Sequence, residues 1–219
     1  MTLPSEYPLH IRERCDSDLA YFLPTVFPVM FFDDWTMDQR DLIHRIESAG
    51  IDDEVYHPMP SGAGSTSIIL GGAVWLAIAK RRPGVTIVSE DTQSALQAIA
   101  QMKAMLVYSR MLHALYPDEM RKVIAANGNL KLANDLGIDW TLRAVGCRVS
   151  DRHGWSIRSI IPGEQAEYPA GTVLIDGAAA HDQLGKLRTK AECGPACWDV
   201  WECPGQQRPH PDTDSYPSA

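Results

Sequence analysis

The sequence predicts an α/β fold, a parallel sheet flanked by helices. Three observations carry that reading. A glycine-rich turn, Ser61-Gly62-Ala63-Gly64-Ser65-Thr66-Ser67, separates a short strand-like run from an apolar helix. A buried-type strand, Val85 to Ser89, leads directly into a long helix. A second apolar strand, Thr172-Val173-Leu174-Ile175-Asp176, precedes a helix of mixed charge. Strands that alternate with helices in this way pair in parallel, because each helix returns the chain to the end of the sheet where the previous strand began.

Each element follows from local signals. Residues 1–35 mix aromatics, prolines and acids and read as an irregular, apolar lead-in. Thr36 followed by Gln39 is a capping box, in which each residue satisfies a backbone N–H near the other. It opens a helix with Leu42, Ile43 and Ile46 on one face, closed by Gly50. Asp53 to Met59 reads as a short strand. The helix after the glycine turn runs through Ile69, Ala73, Trp75 and Ile78 to Lys80-Arg81-Arg82-Pro83. Thr92 is the expected cap of one long helix through Ala95, Ile99, Met102 and Leu106 to Leu115, just before Pro117. Trp140 to Ser150 and Ser156 to Ile161 read as two further strands, and His181 to Glu192 as the last helix. The expected division is a lead-in (1–35), an α/β domain (36–192) and a disordered, Cys- and Pro-rich tail (193–219).

Composition bounds the function. With 219 residues, one domain buries enough apolar surface to fold without staples. Twenty Lys and Arg against 28 Asp and Glu give a net charge of −8, which excludes a broadly basic nucleic-acid binder. Five cysteines, two of them isolated, do not make a secreted disulfide framework, and Met1 to Arg14 has no apolar signal core. The apolar stretch Ile68 to Ala79 is too short to cross a bilayer. A cytoplasmic protein with no membrane partner is expected.

The glycine turn is the chemical candidate. Gly62 and Gly64 permit a loop that aims successive backbone N–H groups inward, an anion nest at a helix N-terminus. Compared with the phosphate-loop pattern G-x-x-x-x-G-K-[ST], Met59 stands at the first glycine, Gly64 at the second, Ser65 at the lysine and Thr66 at the magnesium ligand. An ordinary glycine turn is the alternative. Residues 51–79 contain no Lys or Arg to replace the lysine, which leaves a distant arginine such as Arg148 or Arg158. Asp176 ends its apolar strand where such a site has a carboxylate, and Gly177 occupies the place of the acid that positions water. A core strand ending in an Asp-Gly turn is the alternative there.

Taken in order, these pieces resemble the ATPase domain of phage terminase large subunits, the DNA-packaging motors. Met59 to Ser67 is similar to that family's M-P-R-G-x-G-K-[ST]-T loop. Ala73 to Ala77 with Lys80-Arg81-Arg82 resembles its next helix and basic end, and Val85 to Thr92 its second strand and S-x-T-like turn. Leu112 to Asp118 resembles its leucine and F/Y-P-[DE] element, and Phe31 to Gln39 its adenine-contacting lead. Gly146 through Arg158-Ser159 resembles its G…R-G strand pair, and Thr172 to Asp176 its second nucleotide motif. The resemblance spans about residues 27–190.

It implies a P-loop NTPase-like sheet with ATP and Mg²⁺ as cofactors. Phosphates would lie on Gly62, Ala63, Gly64, Ser65, Thr66 and Ser67, Mg²⁺ on Thr66 and Asp176, and adenine near Gln39. Implied partners are DNA, the portal and the small terminase subunit, in an oligomer when assembled as a motor in the host cytoplasm. Three charged groups of the family are replaced: its arginine by Ser61, its lysine by Ser65 and its catalytic acid by Gly177. The expectation is therefore impaired or lost ATP hydrolysis, with no nuclease domain. A non-catalytic remnant or adaptor that keeps the fold for protein contacts is the second reading. The third is an unrelated α/β domain with a zinc site on Cys193, Cys197, Cys203 and His210. Their C-x₃-C-x₅-C-x₆-H spacing matches no standard knuckle, so Zn²⁺ is expected to be absent there.

Overall fold

Leu19, Phe22, Leu23 and Val26 recur at helical spacing, and all four are buried. The computed structural model describes residues 9–80, 82, 84–120, 146–149, 156–162 and 171–193, without the side chains of 146–149, 156 and 189–193. In it, the stretch read as an irregular lead-in forms two helices, α1 (Leu9–Ser17) and α2 (Leu19–Val26). Asp18 caps α2 by accepting the Tyr21 N–H at 2.8 Å. Pro24 lies inside α2 and lacks the N–H that would satisfy the Ala20 carbonyl. The Trp35 indole N–H fills that gap, donating to Ala20 O at 3.2 Å. Two prolines and a run of aromatics obscured a helix whose defect is repaired from outside.

The Thr36–Gln39 capping box is present in both directions and starts α3 (Met37–Ser48). The strand read over residues 53–59 shrinks to β1 (Glu54–Val55), because Pro58 and Pro60 cannot donate to a ladder. Next comes α4 (Ser65–Ile78), in which every residue from Ile68 to Ile78 is buried. A helix apolar on all sides must be surrounded, and α4 packs against α2 and α3 as well as the sheet. Its glycines make this possible: a Cβ on Gly71 would lie 2.3 Å from Leu23 Cδ2, and one on Gly72 would lie 3.0 Å from Ile46 Cδ1.

The chain continues through β2 (Gly84–Val88), α5 (Thr92–Tyr108) and α6 (Arg110–Leu115). The expected single helix from 92 to 115 is thus two. Ser109 adopts an extended conformation, donates to Val26 O at 2.7 Å and caps α6 through the Leu112 N–H. Asp91, rather than Thr92, caps α5. Strands β3 (Gly146–Val149), β4 (Ser156–Ile160) and β5 (Thr172–Ile175) and helix α7 (Ala178–Cys193) complete the described elements.

The sheet order is β1-β5-β2-β4-β3. The first four are parallel, and β3 adds an antiparallel edge to β4. Side chains alternate between the faces. Val85, Ile87, Ile157 and Leu174 join the main core with α4, whereas Val88, Ile160 and Ile175 meet Ala180 and Leu184 of α7. The sheet is therefore covered by helices on both sides, and α7 is further tied to β1 by a Tyr56–His181 ring stack at 4.0 Å and an Arg188–Glu54 ion pair. Among the described residues no helix is long and apolar enough to cross a membrane.

If Trp35 repairs the proline defect, Trp35→Phe leaves the Ala20 carbonyl unsatisfied while keeping the ring contact with Phe31. The expected loss is about 1–2 kcal/mol, read as a lower midpoint in chemical denaturation.

Candidate functional site

Strand alternation sets the geometry of the site. Leu174 faces α4, so Asp176, two residues on, keeps that face just beyond the end of β5. Its own N–H donates to Val88 O at 2.9 Å, which holds this turn against β2. The first turn of α4 comes to the same place, and Thr66 Oγ1 donates to Asp176 Oδ1 at 2.9 Å. The two sequence motifs, 110 residues apart, meet in one hydrogen bond.

The glycine loop approaches from β1. Gly62 has φ 82° and Gly64 φ 84°, a left-handed backbone that costs side-chain-bearing residues energy. Gly64 is the N-cap of α4, and no side chain caps that helix. The positive end of the α4 dipole therefore faces this loop. Gln39 braces the loop from behind: its Nε2 donates to Ala63 O at 2.9 Å, while its Oε1 accepts the Thr36 N–H. The third positive-φ glycine among the described residues, Gly177 at φ 94°, borders the same space. Backbone that only glycine adopts readily is thus gathered around one feature.

That feature is a cleft of about 510 Å³ at the C-terminal ends of the parallel strands. This is where ligands of open α/β sheets bind. One wall is the loop from Met59 to Gly62 with Ser65 and Thr66, and the floor is Ser89, Glu90 and Asp176 to Ala178. The other wall is the α5 face of Ser94, Gln97, Ala98 and Gln101. Ser89 is backed by a hydroxyl pair with Ser159 at 3.3 Å. Gln101 also borders a second, apolar hollow of about 450 Å³, lined by Val26 to Met30 and by α5 and α6.

The electrostatics are unusual for an anion site. Two carboxylates, Asp176 and Glu90, line the cleft, with no Lys or Arg among the described lining residues. Burial pushes the Asp176 carboxyl above its ordinary value; the Thr66 hydroxyl opposes this, and the Glu90 charge adds to it. Arg158 does not supply the missing cation. It is buried in mid-β4, level with Thr86, well below the strand ends. The side chain of Arg148 lies outside the described residues. Thr66 and Asp176 offer two hard oxygen donors, a set that suits a hydrated hard divalent cation such as Mg²⁺.

Of the residues singled out in the sequence, Gly62, Ser65, Thr66 and Asp176 line the cleft. Gly64 shapes the loop, Ala63 is held by Gln39, and Ser67 lies one residue deeper in α4. Gln39, read as an adenine contact, is engaged at both ends of its amide within the protein. Cys193 ends α7 with its side chain outside the described residues, as are Cys197, Cys203 and His210. No group of three or more His, Cys, Asp or Glu gathers to hold a metal among the described residues. Sequence reasoning missed Ser89, Glu90, Gln97 and Gln101. The polar run Ser89-Glu90-Asp91 straight after a buried strand was the available signal.

No family model matches this chain, and neither a curated protein nor a solved structure is significantly similar to it.

The raised carboxyl gives a stability test. The unfolded chain releases this proton near pH 3.8, and the folded chain does so only at higher pH. Between the two values the unfolded state binds fewer protons, so stability falls as pH rises through that window. Asp176→Asn keeps an acceptor for Thr66 and removes the buried charge. A higher Tm than the parent is expected at pH 7, with the difference vanishing below pH 3.8.

Proposed function

We propose that this chain is a nucleotide-binding domain of the P-loop type, similar to the ATPase domain of phage terminase large subunits, with hydrolysis impaired by loss of the loop lysine. One observation carries the reading: Thr66 of the glycine loop and Asp176 of the apolar strand converge at 2.9 Å. Those are the two positions that hold Mg²⁺ in such a site, and nothing in a simple glycine turn requires them to meet. The uncapped N-terminus of α4 and the glycine backbone around the cleft support the same ligand class, a polyphosphate.

In this reading, backbone N–H groups from Gly62 to Thr66 bind the phosphates, while Thr66 and Asp176 hold the cation. Mg²⁺ when bound neutralises phosphate charge. Gln39 sets the loop through Ala63 rather than meeting the base. Ser65 has the reach for a hydroxyl hydrogen bond but brings no charge to the phosphates, in a place where the family's lysine stabilises the charge that develops in the transition state. Ser61 likewise carries no charge where the family has arginine. With two carboxylates in the cleft, an anion without its divalent cation is repelled. DNA, the portal and the small terminase subunit are the partners this reading implies. The uncharged loop also favours a second reading, in which the nucleotide binds without turnover and the domain acts as an adaptor.

Calorimetric titration with a non-hydrolysable ATP analogue tests this. Binding with Mg²⁺ is expected at a Kd of about 0.1–1 mM, and none in EDTA. Thr66→Ala should weaken it about tenfold, and Ser65→Lys should tighten it about tenfold by adding a charge-assisted hydrogen bond. Absence of binding by both the parent and Ser65→Lys contradicts the proposal.

A further inference from the structure

Glu90 follows β2 as Asp176 and Gly177 follow β5. The strands pair in parallel with Val88 level with Ile175, and the Asp176 N–H to Val88 O bond carries that pairing past the strand ends. Glu90 lies two residues past Val88, and Gly177 two residues past Ile175, in the turns that follow these paired strand ends. Both line the cleft. Gly177 has no side chain, and a Cβ there would meet no atom within 4 Å, so the space beside it is open.

Among the described residues, the other acids of these strands and their turns are already engaged. Asp176 accepts from Thr66, and Asp91 accepts the Ser94 N–H at 2.7 Å as the cap of α5. Glu54 pairs with Arg188 at the sheet edge. Glu90 is exposed, and its carboxylate has no hydrogen-bond or ion-pair partner among the described residues.

We infer that Glu90 is the catalytic acid–base residue of the cleft, supplying from β2 the carboxylate that Gly177 does not supply from β5. This rests on the nucleotide reading above. In the step it serves, a water oxygen bonds to the γ-phosphorus while the bond from that phosphorus to the β,γ-bridging oxygen breaks. The electron pair of the broken bond leaves on ADP. The proton released by the water passes to a Glu90 carboxylate oxygen and from there to the phosphate product. Neighbouring strands lie about 4.8 Å apart, and the open space beside Gly177 leaves room for the Glu90 side chain to approach this water from β2. Hydrolysis is therefore slowed by the absent lysine, not abolished by the absent acid.

The experiment uses the full chain, its Glu90→Gln variant, and both again with Ser65→Lys, which raises turnover into a readable range. Binding of the Mg²⁺–ATP analogue is measured first, then phosphate release from ATP, with Tm as a check on folding. The expected result is unchanged Tm, a Kd equal to or tighter than the parent's, and a kcat lowered about 100-fold by Glu90→Gln. Analogue binding with equal phosphate release in the Glu90 parent and variant overturns the inference and leaves the nucleotide reading intact. So does binding with no phosphate release in any form. Absence of analogue binding by every form overturns the nucleotide reading, and the inference with it.

Discussion

The structure depends on one constraint, the burial of α4 from Ile68 to its end. Eleven consecutive residues from Ile68 to Ile78 are removed from water, and the helix is apolar around its whole circumference. At about 25 cal/mol per Å² of apolar surface, such a segment contributes strongly to the driving force for folding. It also dictates where its ends go. A helix start leaves backbone N–H groups unsatisfied, so the first turn of α4 must emerge where water or a ligand meets it. It emerges into the cleft, beside Asp176. Gly71 and Gly72 let α2 and α3 close over the helix, and Trp75, fully buried, donates its indole N–H to Cys15 O at 2.7 Å. Site and core are thus two ends of the same element.

The cleft is costly to the fold. Asp176 is held partly out of water near a second carboxylate, and three glycines hold backbone conformations that other residues resist. Features that lower stability without a packing reason are expected at functional sites. The sign of the charge is the informative part. A site built only for free phosphate would be lined with Lys or Arg, and the described lining has neither. Its chemistry favours a hard cation and a ligand that arrives with one.

Much of this was legible in the sequence because local rules governed it. The Thr36–Gln39 box, the strand at 172–175 and the glycine turn each follow from a few adjacent residues. The α/β arrangement followed from their order. What stayed hidden was set by contacts distant in sequence. The helicity of residues 19–26 depends on Trp35 answering the defect at Pro24, and the break at Ser109 depends on Val26 O. Glu90 has no motif of its own. Its place in the site comes from the pairing of β2 with β5, two strands that lie more than 80 residues apart, and sequence order alone does not state that register. The pairing of Thr66 with Asp176 was implied by family resemblance, and its geometry became visible only in the fold.

The proposed function requires the uncapped start of α4 and the Asp176 turn to form one cradle for a Mg²⁺-bearing polyphosphate. Backbone amide chemical shifts of the labelled chain, followed during titration with a Mg²⁺–ATP analogue, test it most directly. The largest shifts are expected on Gly62 to Ser67 and on Asp176 and Gly177, and they are expected to be lost in EDTA. Shifts confined to the apolar hollow around Met105 and Tyr108, or no shifts at all, would contradict it.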